Sequence, residues 1–231
     1  MRRVDYREQP PRPDLAGLIK VRWTLAGHGG ADDWLAQQAT PDGCVEIIRR
    51  TAGRSRWGGD QPAGFVVGLI EKPEPFEISG DARFEALRLW PWAWPLVGNI
   101  PLAALRGRWL PFDAPAFQAI EARLAEAAAL NRIGRAILAA ESVAAMGALT
   151  GLSPRTLQRW FAAHVGLPPR HYLRLLRFQR AFETAPGQPS LAGHAAETGF
   201  ADQAHMAREF RALAGISAGA ARNKARGPFL P

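Results

Sequence analysis

Thr150-Gly-Leu-Ser-Pro-Arg-Thr-Leu-Gln-Arg-Trp-Phe161 and Thr198-Gly-Phe-Ala-Asp-Gln-Ala-His-Met-Ala-Arg-Glu-Phe210 are two copies of one pattern. The second copy carries one extra residue in its turn. From there Leu157, Arg159, Phe161 and Gly166 match Met206, Arg208, Phe210 and Gly215, each 49 positions later. Internal duplication points to a repeated supersecondary unit. Each copy has the grammar of two short helices joined by a tight turn. In the first, Ser142 is placed to cap a helix over Val143–Thr150, and Gly151-Leu152-Ser153 makes the turn. Ser153 is an N-cap, with Pro154 at the first helical position, where a missing N–H costs nothing. Leu157, Phe161 and Val165 then recur at i, i+4 and i+8, a buried stripe that Gly166 ends. In the second, Ser190 opens a short helix, Gly199 closes it, Asp202 caps the next, and Met206, Phe210 and Leu213 form the stripe.

The opposite faces carry the chemistry. The first presents Arg155, Thr156, Gln158 and Arg159; the second presents Gln203, Ala204, His205, Ala207 and Arg208, with Arg211 a turn on. A major groove admits a helix. Arginine there pairs with guanine O6/N7 and glutamine with adenine N6/N7. Between the copies, Pro168-Pro169 precedes a helix from Arg170 to about Thr184, with Leu175, Phe178 and Phe182 on its apolar face. Arg170, Arg174 and Arg177 form a basic ridge, either a phosphate contact or a solvated face. A helix of about 15 residues is about 22 Å long, suited to holding two readers in successive grooves about 34 Å apart.

Charge agrees with this division. Residues 1–125 carry 16 Lys+Arg against 15 Asp+Glu, and residues 126–231 carry 13 against 6, so most of the formal +8 lies in the second half. Twelve of those 13 cations are arginine, Lys224 being the exception. Seven of the eight tryptophans precede residue 110, so the halves are differently built. A 231-residue chain with 47% hydrophobic residues can bury a sizeable core. Its single cysteine excludes a disulfide framework. The longest clean apolar run, Phe65-Val-Val-Gly-Leu-Ile70, is too short for a bilayer, and Met-Arg-Arg-Val-Asp-Tyr-Arg-Glu lacks the core of a signal peptide. The expectation is a cytoplasmic protein without membrane contact.

The first half reads as sheet. Ile19, Val21, Trp23 and Leu25 alternate with polar residues, the period of a half-buried strand. Gly27-His28-Gly29-Gly30 breaks it. Asp42-Gly43 gives a hairpin-type turn signal before Val45–Ile48. Phe65–Ile70 and Phe84–Trp90 are further strands, and together they suggest a small barrel or sandwich. In Trp90-Pro-Trp-Ala-Trp-Pro95 two readings stand. An extended chain would set three indoles on one face to line a pocket, whereas Pro91 could open a short helix that packs in the core. Asp113 is placed to cap a helix with Phe117, Ile120 and Leu124 at i, i+3 and i+7, and a second helical run covers Arg132–Ala140.

Residues 131 to 222 resemble the DNA-binding domain of the AraC/XylS family of bacterial transcription regulators. The resemblance rests on Gly151–Phe161, on Tyr172-Leu-Arg-Leu-Leu-Arg-Phe-Gln-Arg-Ala181 and on Gly199–Phe210. It implies a seven-helix, all-α domain with two helix-turn-helix units on a linker helix. It places recognition residues at Arg155, Gln158, Arg159, Gln203, Ala204, His205 and Arg208. Gly147, His194 and Ala218 depart from the family's usual residues. Pro41–Ile48 and Phe65–Gly68 resemble a poorly characterised N-terminal domain often joined to this unit, which by analogy is a β-rich sensory or dimerisation module.

The expected protein is therefore α+β: a small barrel- or sandwich-like domain over 1–112 with flanking helices, a connecting helix over 113–130, and the DNA-binding domain over 131–231. The expected function is sequence-specific regulation of transcription, without catalysis or cofactor. Double-stranded DNA is the main partner, with a small-molecule effector and a homodimer as further possibilities. Two other functions stand beside it. Some relatives transfer alkyl groups to a cysteine, and Cys44 is the one candidate thiol, with no basic neighbour to activate it. A small-molecule binder with residual DNA affinity is the other. The five histidines, at 28, 164, 171, 194 and 205, show no paired metal-ligand spacing.

Overall fold

The structure, a computed structural model, describes residues 4–224 and 229–230. Its first half contains β1 (Val4–Gln9), β2 (Ile19–Gly27), β3 (Trp34–Ala39), β4 (Val45–Ala52), β5 (Ser55–Arg56), β6 (Gly64–Val67), β7 (Glu74–Ser79) and β8 (Arg83–Leu89). A 3-10 helix over Pro91–Leu96, α1 (Leu102–Leu105) and β9 (Trp109–Pro111) follow. The helical half holds α2 (Phe117–Ala125), α3 (Ala128–Ala139), α4 (Val143–Thr150), α5 (Pro154–His164), α6 (Pro169–Thr184), α7 (Leu191–Glu197), α8 (Gln203–Ala214) and α9 (Ala218–Lys224). A last strand, β10 (Phe229–Leu230), returns to pair with β3.

The strands make two antiparallel sheets: six in the order β1-β2-β8-β4-β6-β9, and four in the order β10-β3-β7-β5. They pack face to face without closing into a barrel, so the fold is α+β with an open sandwich in front. Trp23, Leu25, Ile48, Phe65 and Phe84 from the larger sheet meet Leu35 and Ile78 from the smaller. The larger sheet is the middle layer. Its other face, through Val45, Ile47, Val66, Leu87 and Leu89, packs on the helices. Alternation in β2 is broken by a register shift between Ile19 and Val21, which sends Ile19 to the helical side while Trp23 and Leu25 face the second sheet.

Two local expectations are corrected and one open reading is decided. Asp42-Gly43 does make a tight turn, with Gly43 at φ +71° and Cys44 N–H donating to Asp42 Oδ1 at 3.0 Å. It is not a hairpin: β3 and β4 lie in different sheets, and the turn carries the chain between layers. Asp113 does not cap α2, whose N-cap is Ala116 with no side-chain hydrogen bond, though Phe117, Ile120 and Leu124 are its buried face. Of the two readings of Trp90–Pro95 the helical one holds: the stretch is helical from Pro91, and Trp92 and Trp94 are buried in the core, with Trp94 also at the edge of a surface pocket beside Gly98 and Ile100.

Trp92 joins the halves. Its Nε1–H donates to Gly17 O at 2.6 Å, and its ring meets Trp160 of α5 at 5.8 Å and Tyr172 of α6 at 5.9 Å. Gly134 of α3 lies so close that a Cβ there would sit 2.2 Å from Gly17 O and 2.5 Å from Trp92 Nε1. Polar contacts surround this apolar seam. Tyr172 OH donates to Gly43 O at 3.0 Å, Gln179 Nε2 to Pro41 O at 3.1 Å, Lys20 Nζ to Glu183 at 2.7 Å, and Gln38 Nε2 to Ala214 O at 2.7 Å. The apolar cluster is continuous from Val45 and Leu89 through Trp92 to Phe161, Phe182 and Phe210.

A shared core predicts shared stability. Trp92→Ala should cost about 3–5 kcal/mol, and Tyr172→Phe, which leaves Gly43 O without its donor, about 1–3 kcal/mol. Denaturant midpoints followed by tryptophan fluorescence and by far-UV circular dichroism should fall together in both variants. Separate transitions for sheet and helices would contradict a common core.

Candidate nucleic-acid interface

Each helix pair is built by its caps. Ser142 Oγ accepts from Ala145 N–H at 3.0 Å to open α4, and Gly151, at φ +70°, closes it. Ser153 Oγ accepts from Thr156 N–H at 3.2 Å to open α5. In the second unit Ser190 Oγ accepts from Gly193 N–H at 3.2 Å, and Asp202 Oδ1 from His205 N–H at 2.6 Å. Leu157, Phe161 and Val165 are buried in one unit, and Met206, Phe210 and Leu213 in the other. Both stripes meet the apolar face of α6, where Phe178 packs against Phe210 at 5.3 Å and Phe161 against Tyr172 at 5.8 Å.

The polar faces stay outside. On α5, Arg155, Gln158 and Arg159 are exposed; Thr156 is half-buried and its hydroxyl shares a hydrogen bond with Ser153 Oγ at 2.9 Å. On α8, Gln203, Ala204, Arg208 and Arg211 are exposed. His205 is half-buried, with its ring edge-on to Phe200 at 5.3 Å and its Nδ1 accepting from Ala201 N–H at 3.4 Å, so it braces the turn as well as facing outward.

The ridge on α6 is more engaged than spacing alone implied. Arg170 is exposed, whereas Arg174 Nε donates to Glu209 of α8 at 2.6 Å and Arg177 lies over the Phe200 ring at 5.9 Å. These residues line an open cleft of about 690 Å³ that also touches Ser142 and His205, the start of one unit and the reading helix of the other. Sequence reading missed the Arg174–Glu209 pair, since nothing local links residues 35 positions apart.

Residues 146–224 match the family described as a helix-turn-helix domain, and residues 7–111 match a domain of unknown function, DUF6597. The C-terminal half carries an AraC-type helix-turn-helix domain. No protein of curated function matches the chain. Among solved structures it is similar to a probable AraC family transcriptional regulator from Rhodopseudomonas palustris, at 25% identity over 42% of this chain and 97% of that one, TM-score 0.36. It is also similar to apo ToxT from Vibrio cholerae, at 10% identity over 93% and 94%, TM-score 0.42. Unsaturated fatty acid bound ToxT gives 10% over 82% and 94%, TM-score 0.43. The AraC-type domain is a DNA-binding unit of transcription regulation, and the matched residues run from within α4 to the end of α9.

Two features outside that domain bear on function. Cys44 is 1% exposed, and burial, reinforced by the Asp42 charge, pushes its thiol up from the ordinary range. A buried, protonated thiol is a poor nucleophile. Between the sheets lies a cavity of about 60 Å³, bordered by Trp23, Phe65 and Phe84 and by the polar Asp42, Glu46 and Gln61. Behind it is Arg88, fully buried, whose Nε lies 2.8 Å from Asp42 Oδ2 and donates to Glu46 Oε1, while Nη1 lies 3.0 Å from Glu8 Oε1. Burial raises Glu46 despite the opposing Arg88 charge. The signal for this cluster was present: Glu46 and Arg88 are charged residues set inside apolar strand runs, Val45-Glu-Ile-Ile48 and Leu87-Arg-Leu89. Among the described residues no cluster of three potential metal ligands forms, and no helix is long and apolar enough to cross a membrane.

Ser153→Ala and Asp202→Ala should each cost about 0.5–2 kcal/mol through the lost cap. Thermal unfolding of each variant checks this, and an unchanged midpoint would mean that the caps seen here do not hold α5 and α8.

Proposed function

We propose that the chain is a sequence-specific regulator that sets α5 and α8 in successive major grooves of one duplex. One observation carries this reading: two capped helices on a common linker helix, each with an exposed arginine at the matched position, Arg159 and Arg208. In this reading Arg155, Gln158 and Arg159 meet bases from α5. Gln203 and Arg208 do so from α8, with Ala204 allowing close approach to a thymine methyl. Arg211 and Thr156 contact the backbone. His205 contributes a ring nitrogen at the groove edge. Arg174, tied to Glu209, positions α8 against α6 and faces phosphate across the cleft. The working division is 1–112 for input, 113–130 for connection and 131–231 for DNA.

The first half supplies the input. The turn over residues 40–44 forms one side of the inter-sheet cavity and is also the seat of α6, through Tyr172 on Gly43 and Gln179 on Pro41. Occupancy of the cavity thereby has a direct mechanical route to the linker helix that spaces the two readers. The chain acts by binding and not by catalysis, with buried Cys44 a packing residue.

Arg159→Ala and Arg208→Ala should each weaken a selected duplex by about 1–3 kcal/mol and relax preference at one base position. Gel-shift titration on duplexes selected from a random pool reads both effects. Equal loss on every sequence would reduce that arginine to a phosphate contact, and unchanged affinity in both variants would remove the groove reading. Mass spectrometry after incubation with alkylated duplex should find Cys44 unmodified; a stoichiometric adduct would reinstate alkyl transfer.

A further inference from the structure

The cavity between the sheets has a chemistry that its surroundings define. Its walls are aromatic and aliphatic, with Trp23, Phe65 and Phe84 fully or nearly buried and Trp57 and Phe76 half-buried at its mouth. The polar end is acidic. Asp42 and Glu46 border the space, while the cation that answers them, Arg88, sits behind and must also serve Glu8. Lys20 is the other nearby cation, and it is held by Glu183 of α6 at 2.7 Å. Carboxylate is thus in surplus on the cavity side. Burial raises Glu46 despite its two donors, Arg88 and Trp23, and the Asp42 charge acts in the same direction.

A second observation is independent of the charges. Gln61 is 7% exposed and lines the same cavity. Its backbone is fixed, its N–H donating to Ser55 O at 2.9 Å and its carbonyl accepting from Arg50 Nη2 at 2.8 Å. Its side-chain amide makes no hydrogen bond among the described residues. A side-chain amide that borders the cavity without a protein partner can hydrogen-bond a group bound there.

Resting on the reading of the first half as an input module, we propose that this cavity binds a small primary amine with an apolar or aromatic body. The ammonium supplies three N–H donors and one positive charge. Two donors reach the Asp42 and Glu46 carboxylates, and the third reaches the Gln61 amide oxygen. The body of the ligand lies against Trp23, Phe65 and Phe84 and extends to the mouth, where Trp57 also offers a cation–π face. The volume of about 60 Å³ holds the head group and a few carbons, so larger amines project between Trp57 and Phe76. A carboxylate ligand of the same shape meets like charge at Asp42 and Glu46. A neutral alcohol keeps one donor and loses the charge assistance.

The test is calorimetric titration of the full chain, in the absence of DNA, with n-propylamine, benzylamine and phenethylamine, each matched to its alcohol and carboxylate. At least one amine should bind about tenfold or more tightly than its alcohol, the margin of one charge-assisted hydrogen bond over a neutral one, and no carboxylate should bind. Glu46→Gln should erase the amine preference. Because that substitution also disturbs Arg88, Gln61→Leu and Trp57→Ala serve as variants outside the ion cluster, and each should weaken the amine at least threefold with the thermal midpoint kept. Failure of all three amines, a carboxylate that binds as well as its amine, or unchanged amine affinity in both Gln61→Leu and Trp57→Ala overturns the proposal. DNA binding is measured separately on the ligand-free protein, so loss of the amine site and loss of the regulator reading give different results.

Discussion

The burial of Trp92 between sheet and helices is the constraint on which the rest depends. A tryptophan can be fully buried only if its N–H finds an acceptor. Here Gly17 O supplies it, and the requirement fixes where α3 crosses, because only glycine at 134 lets the helix approach. With the indole fixed, Trp160 and Tyr172 have a surface to pack on, and α5 and α6 are set against the sheet. The DNA-binding half is therefore not an appendage on a flexible tether. It shares an apolar cluster with the strands.

This arrangement makes α6 the central element. One side of it gathers the inner faces of both helix-turn-helix units. The other meets the turn at residues 40–44, through Tyr172 and Gln179. A change in that turn has to be absorbed either by the two hydrogen bonds or by a shift of α6. Packed interiors respond in discrete steps rather than by continuous bending. Any ligand that distinguishes two positions of the turn therefore distinguishes two placements of α6, by as much as its affinities for the two states differ.

Legibility followed range. The caps at Ser142, Ser153, Ser190 and Asp202, and the buried stripes of α5 and α8, depend on residues within two turns, and the structure has them where the sequence put them. The linker helix was legible for the same reason. What escaped were relations across sheets. Asp42-Gly43 has the residues of a hairpin, but the hydrophobic pairing of β3 with β7 and of β4 with β8 sends its two flanks to different layers. Asp113 lies three positions before the cap, which Ala116 occupies. For the candidate sites, the exposed arginines followed from periodicity, whereas the Arg88 cluster required knowing that β4 and β8 are adjacent.

The Arg174–Glu209 pair shows how the reading face can be both held and free. Arg174 is 40% exposed and Glu209 15%. A pair so exposed on one side contributes about 0–1 kcal/mol, too little to fix the spacing of two helices. That spacing comes instead from Phe178, Phe182 and Phe210, which interlock at 5.3 to 6.1 Å in the core beneath. The ion pair is then available for exchange. Breaking the pair costs little, while the aromatic contact keeps α8 in place. Rigidity in the apolar layer and lability in the charged layer are separate properties of the same two helices. On the proposal that α8 enters a groove, the second lets a phosphate take the place of Glu209 and the first holds the base-facing side chains still.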